Sequence, residues 1–312
     1  MDEASGTQAI DDDETEEIPK SIGRNNGLTL TETVIVDNRM RQSLVYLPCG
    51  YHSEENDKRP LVIVLHGSRL NGTIAKAVTK FDALACEKDF IVAYPNALYK
   101  QWNDGRGKGF TPAAEVNDVH FILRLAEVMT VKYAADPKRV YLVGYSSGGM
   151  LAQKIAMEAS DKVAGIGVVA ATLPMRQYEK APKSTEPMPV VMLMGTNDRA
   201  FPWEGGQTNI LGVNLGGVSS VKRMVEYWLS ANGGIQKEMF LDEDLPNTTT
   251  DVEASKYQTK NNVQVTLYKI NGGGHTWPGA RLPFTYIPFL GRQVKNLNAA
   301  QVIWRTLSQF HR

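Results

Sequence analysis

Apolar residues in this chain fall into short unbroken runs, separated by longer stretches with helical spacing. Residues 28–36 and 41–47 alternate apolar and polar positions around Asp37, Asn38 and Arg39 and predict an antiparallel hairpin. Residues 60–65 form a continuous apolar run. So do residues 90–94, 140–143 and 190–194, and residues 163–171 with glycine interruptions. Runs of this kind suit strands buried on both faces. Between them, residues 73–87, 117–133, 147–158 and 219–231 have the spacing of amphipathic helices. In the second of these, Val119, Ile122, Leu123, Ala126 and Met129 share one face. Residues 263–270 predict a late strand and residues 299–310 a closing helix. Residues 245–260 read as a loop or weak extra strand, and residues 175–189 as a short lid. The alternation predicts an α/β fold: a mostly parallel central sheet with helices on both faces and an N-terminal antiparallel hairpin.

Residues 1–24 are polar and acidic, with Asp11, Asp12, Asp13, Glu14, Glu16 and Glu17 close together, and predict a disordered lead-in. Residues 25–312 are expected to form a single α/β domain. Thirty-four basic and 34 acidic side chains leave no net charge. That balance argues against nucleic acid or an anionic membrane surface as the main partner. No apolar run approaches the length of a membrane span.

Met1, Asp2 and Glu3 open the chain without the apolar core of a signal peptide. Two locations stay open: cytoplasmic, or secreted or cell-envelope with the leader replaced by an initiating Met. The acidic lead-in favours the second. Cys49 and Cys86 read as buried free thiols rather than a disulfide. Neither has metal-ligand spacing, and no metal site is expected.

The chemistry is concentrated at Gly144-Tyr145-Ser146-Ser147-Gly148, where a β-rich run meets a helix-forming one. G-x-S-x-G in that setting is a nucleophile elbow, with the Ser146 hydroxyl lifted above the sheet by a tight turn. A serine nucleophile needs a base, an acid to orient the base, and donors for the oxyanion. In this architecture the order is serine, acid, histidine. His52, His66 and His120 precede the serine, and His311 is penultimate and apt to fray. His275 remains, in a glycine-rich loop directly after the late strand.

The acid is assigned to Asp198, at the rim where the run 190–194 opens into Gly195 and Thr196. Asp161, Glu179, Glu226, Asp242, Glu243 and Asp244 sit in helices or polar loops with poorer geometry. The oxyanion donors are the backbone N–H groups of Ser147 and Ser68. The latter lies in the loop Leu65-His66-Gly67-Ser68-Arg69, where His66 is structural. Trp277 and Trp102 are expected to line the substrate cleft, with core packing as the competing role for each.

The chain also resembles a known family. His66-Gly67 after an apolar strand, Gly144 to Gly148, Gly195-Thr196-Asn197-Asp198 and Gly274-His275-Thr276-Trp277-Pro278-Gly279 carry the resemblance. Tyr46-Leu47-Pro48, Trp102-Asn103-Asp104, Asp118-Val119, Asp136 to Tyr141 and Phe201 to Gly206 extend it from about residue 28 to the C-terminus. These motifs are similar to those of the polyhydroxybutyrate-depolymerase-like esterases of the α/β-hydrolases. That group includes feruloyl and acetylxylan esterases of carbohydrate esterase family 1 and LpqC-type lipoproteins. The resemblance implies a Ser146–His275–Asp198 triad and ester hydrolysis without a cofactor. Many polymer depolymerases of the group carry Cys where this chain has Ser68, and dedicated ones append a polymer-adsorbing domain that the sequence does not display. Feruloyl or acetyl esters of plant polysaccharides are therefore the expected substrates, with short hydroxyalkanoate polyesters or oligomers as the alternative. A peptidase would need an anchor for the peptide terminus, and a non-enzymatic binding protein would have no need of the complete set of nucleophile, base and acid.

Overall fold

A computed structural model describes residues 19–24, 26–53, 57–107, 113, 115–175, 186–210, 213–240, 251–280 and 290–312. Its centre is a 10-stranded sheet. In chain order the strands of that sheet are β1 (Leu28–Val36), β2 (Arg39–Leu47), β3 (Arg59–Leu65), β4 (Ile91–Pro95), β5 (Ala135–Tyr145), β6 (Gly165–Val169), β7 (Val190–Gly195), β10 (Ile235–Phe240), β11 (Val252–Thr259) and β12 (Gln264–Ile270). The two remaining strands, β8 (Gly206–Ile210) and β9 (Val213–Val218), form a separate antiparallel hairpin. The order across the large sheet is β1-β2-β4-β3-β5-β6-β7-β12-β11-β10. Strands β4, β3, β5, β6, β7 and β12 run parallel to one another. The outer strands on both sides are antiparallel.

The parallel strands are apolar throughout because both faces are covered. Along β3, Leu61, Ile63 and Leu65 enter one core, while Val62 and Val64 enter the other. The first core is closed by three helices: α3 (Asp118–Lys132), α4 (Ser147–Glu158) and α5 (Val221–Ala231). They contribute Phe121, Leu125, Met150, Ile155, Met224 and Trp228. The second is closed by α1 (Gly72–Thr79), α2 (Phe81–Lys88) and α6 (Ala299–Leu307), where Trp304 stacks on Phe90 with ring centroids 4.0 Å apart. Side-chain period 2 in the strands thus divides one apolar run between two cores.

Four features differ from the sequence reading. Residues 73–87 make two helices, because Lys80 takes a left-handed turn (φ 56°) that caps α1 and delivers Phe81 into the core. Within the expected lead-in, Ser21 bridges to His52, and the Ile22 N–H donates to Tyr51 O at 2.7 Å. The rest of the acidic lead-in, residues 1–18, lies outside the described residues, as do residues 176–185 of the expected lid and 241–250 of the polar stretch. From residue 252 that stretch is a full strand, β11, and strand β10 and the β8–β9 hairpin were not anticipated at all.

Cys49 and Cys86 form a disulfide, contrary to the free thiols expected from sequence. The turn after β2 and helix α2 bring their Cα atoms to 4.8 Å, although 37 residues separate them. Among the described residues no helix is long and apolar enough to cross a membrane.

Candidate active site

The site lies at the C-terminal edge of the parallel strands, where loops leave the sheet. Ser146 stands between β5 and α4 with φ 56° and ψ −125°, a backbone conformation that costs a non-glycine residue on the order of 1–3 kcal/mol. Surrounding bonds hold it there. Its N–H donates to Val169 O at 2.9 Å, and its carbonyl accepts from the N–H groups of Gly149 and Met150. A Cβ on Gly144 would fall on the Gly148 backbone, and one on Gly148 would fall on the Leu65 carbonyl. Strand, turn and helix therefore touch through backbone alone, which only glycine permits.

His275 follows β12 in a loop pinned by its own N–H, which donates to Leu290 O at 2.6 Å. Its Nδ1 lies 2.8 Å from Asp198 Oδ2, and its Nε2 lies 2.9 Å from Ser146 Oγ. A carboxylate can only accept, so Nδ1 carries the proton and Nε2 accepts from the Ser146 hydroxyl. The other carboxylate oxygen, Oδ1, accepts from the N–H groups of Ala200 and Phe201, both at 2.8 Å. All three residues are buried, with 4% of Ser146, 4% of Asp198 and 6% of His275 exposed. Three side chains separated by up to 129 positions thus form one hydrogen-bonded run.

Two aromatic residues enclose the imidazole. The Phe201 ring stacks on it at 5.4 Å and 19°, and the Tyr145 ring lies 5.2 Å away at 34°. The Tyr145 hydroxyl donates to His275 O at 2.8 Å. Burial, reinforced by the charge of Asp198, raises that hydroxyl well above the ordinary tyrosine range, so it remains a donor. Sequence reasoning assigned neither ring a role. Phe201 and Tyr145 lie in motifs quoted for the family resemblance, but contact with the imidazole is a tertiary fact.

The loop bearing Ser68 is held by His66. Its Nε2 accepts the Ala97 N–H at 3.0 Å, and its Nδ1 donates to Gly67 O at 2.8 Å. Burial presses the His66 pKa down to about 4, so the ring stays neutral and can do both. Because a trans peptide is planar, fixing Gly67 C=O also fixes the opposed N–H of Ser68. Gly67 lies against Ser146: a Cβ there would sit 3.2 Å from the serine Cβ. Ser147 starts α4 directly after Ser146 and is fully buried.

The tryptophans are a correction. Trp102 is 1% exposed, its ring is tilted against His66 at 4.8 Å, and its indole N–H donates to His66 O at 2.8 Å. It braces the Ser68 loop from beneath and presents no face to a substrate. Trp277 is 2% exposed and meets the edge of Phe81 at 6.3 Å, so it too packs inward. Pro278 and Gly279 then turn the chain back over the second core, and Trp277 borders a small cavity that His66, Gly67 and Tyr145 also line.

Comparison with known proteins finds esterases. The BD-FAE family profile matches residues 45–198, from β2 through the Ser68 loop and Ser146 to Asp198. A protein provisionally named esterase NocK, from Nocardia uniformis subsp. tsuyamanensis, is 27% identical over 264 residues, covering 82% of this chain and 76% of its own. Feruloyl esterase B of Piromyces equi is 23% identical over 252 residues, 79% of this chain and 45% of its own. The chain is thus similar in sequence to esterases along most of its length. A poly(3-hydroxybutyrate) depolymerase of Ralstonia pickettii is 30% identical over 142 residues, 41% of this chain and 28% of its own. The esterase thus spans less than half the length of these last two relatives. Among solved structures, the acetyl xylan esterase from Aspergillus awamori shares the fold, with a TM-score of 0.55 at 15% identity over 79% of this chain and 94% of that one. Among the described residues of this esterase, no three His, Cys, Asp or Glu side chains group to hold a metal ion.

Proposed function

We propose that this carboxylesterase hydrolyses carboxylic esters through an acyl-enzyme, with Ser146 as nucleophile, His275 as general base and Asp198 as the orienting acid. The observation that supports the reading is the continuous run from Asp198 Oδ2 through the imidazole to Ser146 Oγ. His275 Nε2 takes the hydroxyl proton as Ser146 Oγ attacks the ester carbonyl, and Asp198 stabilises the imidazolium that forms. The N–H groups of Ser68 and Ser147 bind the oxyanion. The proton then passes to the departing alkoxide, leaving acyl-Ser146 and free alcohol. Water, deprotonated by the same imidazole, releases the acid and regenerates the serine. No cofactor enters any step.

Feruloyl or acetyl esters of plant polysaccharides are the proposed substrates, supported by the relative named feruloyl esterase B and by a Neocallimastix patriciarum protein named bifunctional acetylxylan esterase/xylanase, 27% identical over 145 residues. The depolymerase relative favours short hydroxyalkanoate polyesters as the second reading. We further propose a secreted or cell-envelope location, since a disulfide such as Cys49–Cys86 persists in oxidising compartments. A fluorophosphonate probe should label Ser146, and Ser146→Ala should lower kcat on p-nitrophenyl acetate by at least about 10⁴-fold. Unchanged hydrolysis by that variant would refute the assignment.

A further inference from the structure

A cleft of about 340 Å³ opens between the loop after β6, the β8–β9 hairpin and the start of α5. Met175 and Val218 give it an apolar floor, and Gly206 and Gly217 leave its backbone bare. Around this floor stand Glu204, Gln207 and Arg223, all exposed. Among the described residues, none of these three side chains takes part in a hydrogen bond or ion pair, so a carboxylate, an amide and a guanidinium stand uncommitted around one opening.

Its position ties it to the chemistry. Glu204 lies three residues beyond Phe201, whose ring covers the His275 imidazole. Met175 ends the loop that begins at Val169, the acceptor for the Ser146 N–H. That loop is fastened to the hairpin by the Ser219 N–H donating to Leu173 O at 2.8 Å. The cleft is thus joined through short chain segments to the residues that hold Ser146 and cover His275.

The lining chemistry selects a class of ligand. Glu204 and Arg223 cancel in charge, so neither an anion nor a cation is favoured. Donors and acceptors are both present above an apolar floor, which matches a sugar ring with hydroxyls at its edge and C–H groups on its face. A polyester chain is a poorer match. Apart from its hydroxyl terminus it offers only acceptor oxygens, which leave the Glu204 carboxylate desolvated and unpaired. The cleft volume lies at the small end of the ligand range, room for a single sugar residue.

We propose that this cleft is the subsite for the sugar portion of the ester and that Glu204, Gln207 and Arg223 confer preference for saccharide esters over polyesters. The inference rests on the proposed ester hydrolysis at Ser146. To test it, kcat/KM is compared for acetylated xylotetraose, a hydroxybutyrate trimer and p-nitrophenyl acetate in the wild type, Glu204→Ala and Arg223→Ala.

Removing one charged hydrogen-bonding partner should lower the ratio of kcat/KM for the saccharide ester to that for p-nitrophenyl acetate about tenfold, chiefly through KM. Unacetylated xylotetraose should also compete with p-nitrophenyl acetate in the wild type and less well in both variants. A ratio unchanged within about twofold in both variants, or an equal loss on the hydroxybutyrate trimer, would overturn the assignment of the cleft while leaving Ser146 in place. A wild type that cleaves none of the three esters would overturn the hydrolase reading itself.

Discussion

The ring of Phe201 lies nearly parallel to the imidazole of His275, 5.4 Å from it, while the Phe201 N–H donates to Asp198 Oδ1. One residue therefore touches both Asp198 and His275, through its backbone and its ring respectively. The backbone bond reserves Oδ2 for the imidazole, and the stacked ring limits the rotation of His275 and keeps water from that face.

This relationship predicts the effect of removing the ring alone. Phe201→Ala keeps the N–H bond to Asp198 but frees one face of the imidazole. We expect kcat on p-nitrophenyl acetate to fall about tenfold or more with little change in KM, and Phe201→Tyr to restore most of it. A loss confined to KM would show that the ring contacts substrate rather than positioning the base.

His66 makes stability depend on pH. Its folded pKa, about 4, lies below the ordinary 6.5. Above pH 6.5 the ring is neutral in both folded and unfolded chains and carries no penalty. As pH falls through 6.5 toward 4, the unfolded chain takes up a proton that the folded chain refuses, and stability declines. The full effect is about 3 kcal/mol. In His66→Gln the drop in unfolding free energy between pH 7 and pH 4.5 should be about 2 kcal/mol smaller than in the wild type. Equal drops in urea titrations of the two proteins would count against the neutral buried ring.

The bridge between Cys49 and Cys86 closes a long loop and holds α2 against the end of β2. Reduction, or Cys49→Ser with Cys86→Ser, should lower unfolding free energy by about 2–4 kcal/mol. An identical denaturation midpoint with and without dithiothreitol would refute this. Since neither cysteine adjoins Ser146, His275 or Asp198, activity of the folded protein should survive reduction.

Local sequence pattern suffices for the parallel strands of the sheet, the positions of α3, α4 and α6 to within a few residues, and the candidates Ser146, His275 and Asp198. These rest on local physics. Buried strands must be apolar on both faces, as residues 60–65 and 190–194 are, and a serine between Gly144 and Gly148 at a strand end admits few backbones. The order serine, acid, histidine then eliminates the other histidines without any coordinates. The same local reading missed strand β10 and the β8–β9 hairpin, whose residues lack strict alternation.

Whatever depends on distance between remote positions emerges only once the chain is folded. Cys49 and Cys86 look like two isolated small residues until β2 and α2 bring their backbones together. Trp102 and Trp277 have indoles suited to stacking on a ligand, yet the chain turns both inward, one to brace His66 and the other to fill the second core. Phe201 gains its place beside His275 because the loops after β7 and β12 leave adjacent parallel strands at the same edge. A side chain's type sets what it is able to do. Which neighbour it does it with is set by packing across the sheet, which no local pattern encodes.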